Sequence, residues 1–187
     1  MFNTFFPSCF YWRFDIPNFD EMRDYVNSRK DINNVKQTWS IDCKVDTIRL
    51  KALEVQSLIK PSFDLFSKSA FMKNANIKMH DPWINLYTED YFQEIHDHKV
   101  DIASVFFIND GENFSNFYFY NRYNNCASTK LLSIINDEQF YANDKYFPEY
   151  SEGHVLFFPG SLLHGVTPHK SNIVRKTLSC NFDIVDS

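Results

Sequence analysis

From Lys78 onward the chain runs as short β-rich segments broken by polar turns, and this constrains the fold more than any other feature. "IKMHDPWINLY", "DIASVFFIN", "NFYFYNRY", "KLLSII", "HVLFFPG" and "IVRKTLSCNFDI" are rich in aliphatic, β-branched and aromatic residues. About eight short strands at this spacing predict an antiparallel sandwich or barrel. The preceding part differs. Residues 9–16 are β-formers that stop at Pro17, and Asn18 is placed to cap a helix through about Arg29. Residues 31–45 read as loop, with a short extended piece from Trp39 to Val45. "DTIRLKALEVQSLIKPSFDLFSKSAFM" has helical character, with apolar residues at Ile48, Leu50, Leu53, Val55 and Leu58, then Phe63, Leu65 and Phe66. Pro61 is expected to divide or kink that helix. Helices followed by strands give an α+β class, with helices buttressing a β-sandwich.

Composition narrows the partners. The chain has 187 residues, 44% hydrophobic and 18% aromatic, enough for one domain with a real core and too apolar for disorder. A net charge of −5 weighs against a nucleic-acid grip, which needs a basic face. Cys9, Cys43, Cys126 and Cys180 are scattered without a C-x-x-C pair, the pattern of reduced thiols in a cytoplasm. The start, "MFNTFFPSCFYWRFDIP", does not read as a signal peptide, and no run approaches ~20 apolar residues. The expected setting is therefore the cytoplasm, without a membrane partner.

The chemistry concentrates in "QEIHDHKVD". On a strand, residues i and i+2 share a face, so His96 and His98 point together and Asp97 points away. Two imidazoles on one face can grip a divalent ion. His164 is the candidate third ligand: in "GHVLFFPGSLLHGVTP" it follows a hydrophobic strand and a Pro-Gly turn. His80, His154 and His169 read as ordinary histidines.

"WINLYTEDYFQEIHDHKVDIASVFFIND" and "EGHVLFFPGSLLHGVTPHKSNIVRKTLSCNFDI" together resemble the Fe(II)/2-oxoglutarate-dependent oxygenases. Within that family they are most similar to a prolyl-hydroxylase-like group common in phages and marine bacteria. The resemblance covers about residues 80–184. It implies a double-stranded β-helix, a cupin-like jelly roll flanked by helices. The chain would then be a single oxygenase domain over 1–187, with a helical buttress at about 1–77 and a jelly-roll core at about 78–187. A bacterial or virus-infected host cytosol would suit such a protein.

The family places His-x-Asp or His-x-Glu on one strand, a second His far downstream, and an Arg about ten residues later for the distal carboxylate of 2-oxoglutarate. By resemblance His96 and His164 match the two histidines, and Arg175, 11 residues after His164, matches the arginine. Thr177 shares a strand face with Arg175 and would join it on the carboxylate. Asn85 and Tyr87 in "WINLY" resemble the Asn-x-Tyr that helps hold the co-substrate in oxygenases that repair alkylated nucleic acids. Arg offers a planar fork that Lys does not imitate.

Position 98 departs from the pattern, being His where the family has an acid. The favoured ligand set is His96, His98 and His164. Two alternatives stay open: Asp101 bending back as in cupins, or a bulge turning Asp97 inward. Glu94, Asp97 or Asp101 could also orient a ligand imidazole. The implied activity hydroxylates a C–H bond, consuming O2 and 2-oxoglutarate and releasing succinate and CO2. The prime substrate is not legible, and a protein or peptide side chain is the first expectation. The alternatives are a cupin-type metalloenzyme without 2-oxoglutarate, for which Arg175 has no use, and a non-catalytic jelly-roll binding module.

Overall fold

A computed structural model describes residues 9–30, 44–70, 76–121 and 144–185. "KLLSII" and most of the piece expected from Trp39 to Val45 lie outside the described residues. Eleven strands and two helices are seen among the described residues. In chain order they are β1 (Trp12–Asp15), α1 (Phe19–Ser28), β2 (Asp46–Arg49), α2 (Ala52–Ser69), β3 (Asn76–Met79), β4 (Trp83–Tyr87) and β5 (Gln93–His96). Then follow β6 (Ile102–Phe107), β7 (Phe117–Tyr120), β8 (Lys145–Tyr146), β9 (His154–Pro159), β10 (His164–Val166) and β11 (Arg175–Val185).

The strands form two antiparallel sheets. The larger runs β1-β9-β6-β11-β4-β2, with β3 also paired to β11, and the smaller runs β5-β10-β7-β8. This is the expected double-stranded β-helix. Alternation along the large sheet sorts its side chains into two cores. Phe106, Val155, Phe157, Leu178 and Cys180 face the helices, where Met22, Val26, Leu58, Ile59 and Phe66 meet them. The Phe66 ring stacks on Phe157 at 4.7 Å. The opposite faces of the same strands present Val105, Phe107, Leu156 and Phe158 to Phe117, Phe119 and Val166 of the small sheet. Covering on both faces explains why "IASVFF" of β6 is a continuous buried run rather than an alternating one. Each large apolar side chain fully buried there contributes about 1.5–3 kcal/mol.

Three local expectations change. Asp46–Arg49 is a strand, not the start of a helix: Ile48 pairs opposite Ile84 of β4, and Ile48 is buried in the helix-side core. Helical and extended spacings both suit so short an apolar run, and the pairing decides. Pro61 sits inside one helix rather than dividing two. Leu58 and Ile59 before it and Phe66 after it are buried in the same core, and that burial outweighs a proline cost of about 3 kcal/mol. Asn18 occupies the N-cap position of α1 but makes no side-chain cap bond. Its amide donates instead to the Leu58 carbonyl and to Glu21, fastening α1 to α2.

Candidate metal centre

Both sheets deliver side chains to one cavity between them. From the large sheet, β4 turns Asn85 and Tyr87 inward, and β11 turns Arg175 and Thr177 inward. The register makes these direct neighbours: Arg175 lies opposite Tyr87, and Thr177 opposite Asn85. From the small sheet, β10 brings His164, paired across β5 with His96.

The small sheet carries an irregularity that sequence reasoning does not anticipate. His164 pairs with His96 and Val166 with Gln93, so three residues of β10 span four of β5. This bulge lets Gln93 and His96, three apart, line the same cavity. Strand β5 then ends at His96, so His98 lies beyond it in the following turn rather than on the expected strand. Its ring still reaches the group. The ring centroids lie 4.4 Å (His96–His164), 5.2 Å (His96–His98) and 5.1 Å (His98–His164) apart. One ligand nitrogen from each falls within 4.8 Å of the others. The His98 backbone N–H donates to the Gly160 carbonyl at 2.8 Å, so the Pro-Gly turn of the sequence motif holds this loop.

Tautomers follow from the partners. Nδ1 of His96 contacts the Glu94 carbonyl at 2.7 Å, and Nδ1 of His164 contacts the Leu162 carbonyl at 2.8 Å. A carbonyl only accepts, so both Nδ1 atoms carry the proton and both Nε2 lone pairs are left for a metal. Burial keeps the rings neutral. It lowers the His96 pKa, pushes His98 down to about 4 with help from neighbouring His96, and holds His164 well below the usual range. Neutral imidazoles are the form that binds metal.

The alternative acids sit elsewhere. Asp101 accepts the Ile184 N–H at 2.7 Å, tying the turn before β6 to the end of β11, and it is outside the histidine group. Asp97 is exposed, so the bulge in β5 does not turn it inward. Its charge is felt by His96 and His98 without joining them. Glu94 contributes its backbone carbonyl to His96.

The co-substrate candidates form the opposite wall. Arg175 is only 2% exposed, its guanidinium lies 5.0 Å from the Tyr87 ring centre, and Nη1 and Nη2 have no hydrogen-bond partner among the described residues. Two buried guanidinium nitrogens without acceptors call for an anion. Asn85 Nδ2 donates to Thr177 Oγ1 at 3.2 Å and to Ser179 Oγ at 3.0 Å, while Asn85 Oδ1 is left unpartnered. Tyr87 Oη donates to Gln93 Oε1 at 2.6 Å. Gln93 and Ser179 are cavity residues that sequence reasoning misses. Ser179 is findable from the i, i+2, i+4 face of Arg175 and Thr177. Gln93 is not, because its direction depends on the bulge.

The donor set fits both groups the resemblance implies: three neutral imidazoles for a divalent metal, and an unsatisfied guanidinium for a carboxylate. The cavity they share is narrow, about 30 Å³. Arg175 also borders a wider cavity of about 520 Å³ formed by the 109–116 and 148–152 turns. Its described lining residues include Asp110, Glu149 and Glu152 and no histidine.

Solved structures share this architecture. A prolyl-4-hydroxylase from Pseudomonas putida aligns over 96% of this chain and 95% of its own at 11% identity, with a TM-score of 0.64. HygX from Streptomyces hygroscopicus, solved with nickel and 2-oxoglutarate bound, aligns over 95% and 84% at 9% identity, with a TM-score of 0.65. A Trichoplax adhaerens prolyl hydroxylase, solved with a peptide fragment of the hypoxia inducible factor oxygen degradation domain, aligns over 93% and 83% at 11% identity, with a TM-score of 0.62. At these identities the likeness establishes the fold. No curated protein matches the sequence. The family model described as "Putative 2OG-Fe(II) oxygenase" matches residues 81–181, more than half the chain and spanning every candidate site residue named above. The chain belongs to the 2-oxoglutarate- and Fe(II)-dependent oxygenase family.

Proposed function

We propose that His96, His98 and His164 hold Fe(II), and that Arg175, Thr177, Tyr87 and Asn85 hold 2-oxoglutarate, in an enzyme that hydroxylates a C–H bond of a protein or peptide side chain. The observation that carries this is one cavity walled on one side by three convergent imidazoles and on the other by a buried, unpartnered arginine. Bound iron would supply the redox chemistry that couples oxidative decarboxylation of 2-oxoglutarate, with O2, to succinate, CO2 and a hydroxylated product.

The residues supply binding and orientation. Arg175 offers Nη1 and Nη2 as a fork to the distal carboxylate. Thr177 Oγ1 accepts from Asn85, so its own proton is available to the same carboxylate. Both partners of the Asn85 amide are hydroxyls, which donate as readily as they accept. Because the Asn85 amide donates to both, each hydroxyl keeps its own proton for another acceptor. Gln93 fixes the Tyr87 hydroxyl, and Phe117 and Phe158 keep the cavity dry. The whole chain acts as one unit in this reading, because strands β1 and β2 complete the sheet that carries Arg175. The peptide class is supported by the Trichoplax relative with its bound peptide. No helix among the described residues is long and apolar enough to cross a membrane, and Cys9 and Cys180 are free thiols, which suits a reducing cytosol.

The test is anaerobic loading with Fe(II) followed by 2-oxoglutarate. The expected result is the weak visible charge-transfer band of the chelate, lost in His164→Ala and in Arg175→Met at limiting co-substrate. Metal binding without the band would overturn the 2-oxoglutarate reading and favour a cupin-type enzyme. Absence of metal binding would favour a non-catalytic module.

A further inference from the structure

Strands β6 and β4 flank β11, and each sends an aromatic ring to Arg175. The guanidinium carbon lies 5.0 Å from the Tyr87 ring centre and 5.7 Å from that of Phe107. Phe107 is itself pinned. The Tyr150 ring stacks on it with centroids 3.7 Å apart and planes 8° from parallel. Tyr150 Oη accepts the Phe117 N–H at 2.8 Å, which ties the ring to β7 of the small sheet. The turn that carries Tyr150 is fastened as well. The Gly153 N–H donates to the Phe107 carbonyl at 3.0 Å, Arg13 of β1 donates to the Glu149 carbonyl at 2.8 Å, and Arg23 of α1 pairs with Glu152 at 3.4 Å. The pin matters because of the space beside it. Arg175 borders the narrow cavity of about 30 Å³ and also the wide one of about 520 Å³, whose lining includes Phe107 and Tyr150. A long side chain beside that much volume has room for other rotamers. Attraction to the faces of Tyr87 and Phe107 favours the one seen, and Phe107 keeps its place while Tyr150 backs it.

We propose that Tyr150 is a positioning residue for the co-substrate: by holding Phe107 it holds Arg175, and so sets the length of 2-oxo diacid that the site accepts. This rests on the co-substrate assignment proposed above and adds to it a source of specificity. Tyr150 acts through Phe107 and Arg175 rather than on the diacid itself. A fixed guanidinium accepts a distal carboxylate at one distance from the histidine group, because its planar fork is directional. A diacid one methylene longer than 2-oxoglutarate needs Arg175 to retreat towards the wide cavity. The Phe107–Tyr150 stack resists that retreat. Without the Tyr150 ring the arginine gains freedom, so 2-oxoglutarate binds less well and the longer acid is rejected less.

The experiment titrates the full chain, loaded anaerobically with Fe(II), with 2-oxoglutarate and with 2-oxoadipate, and follows the charge-transfer band. The wild type is expected to favour 2-oxoglutarate by about 10–200-fold, the usual range for one methylene. Tyr150→Leu keeps apolar bulk but removes the stack and the hydroxyl. It should weaken 2-oxoglutarate by about tenfold and narrow the preference to about threefold. Tyr150→Phe keeps the stack and should hold the preference within about twofold of wild type. Both variants lose the bond to Phe117, so a fall in Tm common to the two is a structural loss, read separately from the preference. Equal loss of preference in the two variants would overturn the proposal, because the hydroxyl and not the stack would then be responsible. It is equally overturned if the wild type takes both acids alike, or if Tyr150→Leu, folded by circular dichroism, keeps wild-type affinity and preference. Those outcomes leave the co-substrate site standing. If the wild type gives no band with 2-oxoglutarate, the site and the positioning role fall together.

Discussion

His96 and His164 face each other across the β5–β10 pair with ring centroids 4.4 Å apart, so a metal between them ties two strands of the small sheet together. Such a tie stabilises the folded state. A ligand that binds only the native chain adds about 2.7 kcal/mol at a concentration one hundred times its Kd. For a chain of this size each kcal/mol moves Tm by about 2–4 °C. Saturating Ni(II) should therefore raise Tm by roughly 5–10 °C in a thermal melt. The shift should vanish in His164→Ala, and an equal shift in that variant would mean the ion binds elsewhere.

His98 and Asp101 separate the two ligand sets. The His98 ring is within the histidine group, whereas the Asp101 carboxylate accepts the Ile184 N–H at 2.7 Å. Losing a ligand costs more than losing an orienting partner, which is worth about 10–100-fold in metal affinity. His98→Ala should weaken Mn(II) in the presence of 2-oxoglutarate by more than about 100-fold. Asp101→Asn should leave it unchanged and cost about 1 kcal/mol of stability through the weakened tie to β11. The reverse pattern in a calorimetric titration would make Asp101 the ligand.

The site is legible in sequence to an uneven degree, for physical reasons. His164 is found from its place after the Pro-Gly turn and Arg175 from its resemblance to the family's arginine, and a strand with period two then puts Thr177 on the same face as Arg175. His98 joins the other two histidines, but not by the regular strand that its spacing suggests: β5 ends at His96, and the His98 loop is held by Gly160. Gln93 is invisible because the bulge that turns it inward exists only in the pairing of β5 with β10. The same limit explains Asp46–Arg49, a four-residue strand whose apolar spacing equally suits a helix until β4 is there to pair with it. Pro61 is the converse case, a strong local signal overruled by core burial on both sides of it.

Tyr87 and Gln93 give a prediction about the co-substrate. The Tyr87 hydroxyl is buried and donates to Gln93 Oε1 at 2.6 Å, on the cavity wall beside Arg175. Tyr87→Phe removes that donor at about 1–3 kcal/mol in stability. It also removes a hydroxyl from the proposed 2-oxoglutarate cradle. Steady-state kinetics should show KM for 2-oxoglutarate up about 3–10-fold with kcat within about twofold, the pattern of lost ground-state binding. A fall in kcat at unchanged KM would place Tyr87 nearer the prime substrate.

Gly160 is predicted to matter to the metal although it touches none. Its carbonyl accepts the His98 N–H at 2.8 Å, and its own N–H donates to the Asp101 carbonyl at 3.1 Å. The two chain segments approach so closely that a Cβ on Gly160 would lie 2.2 Å from the Val100 carbonyl oxygen and 2.8 Å from Val100 Cγ2. Backbone cannot yield there without moving the loop that carries His98. Gly160→Ala should cost about 1–3 kcal/mol of stability and weaken Mn(II) binding with 2-oxoglutarate by about tenfold or more. Gly153→Ala is the control. Gly153 has φ +86°, so alanine there is strained too, but its Cβ would meet only the Phe19 ring at 3.7 Å, away from the histidines. It should lower Tm while leaving Mn(II) affinity as in wild type. Equal losses of metal affinity in the two variants would reduce the Gly160 effect to general destabilisation. A loss confined to Gly160→Ala would show that the Pro-Gly turn sets the position of His98.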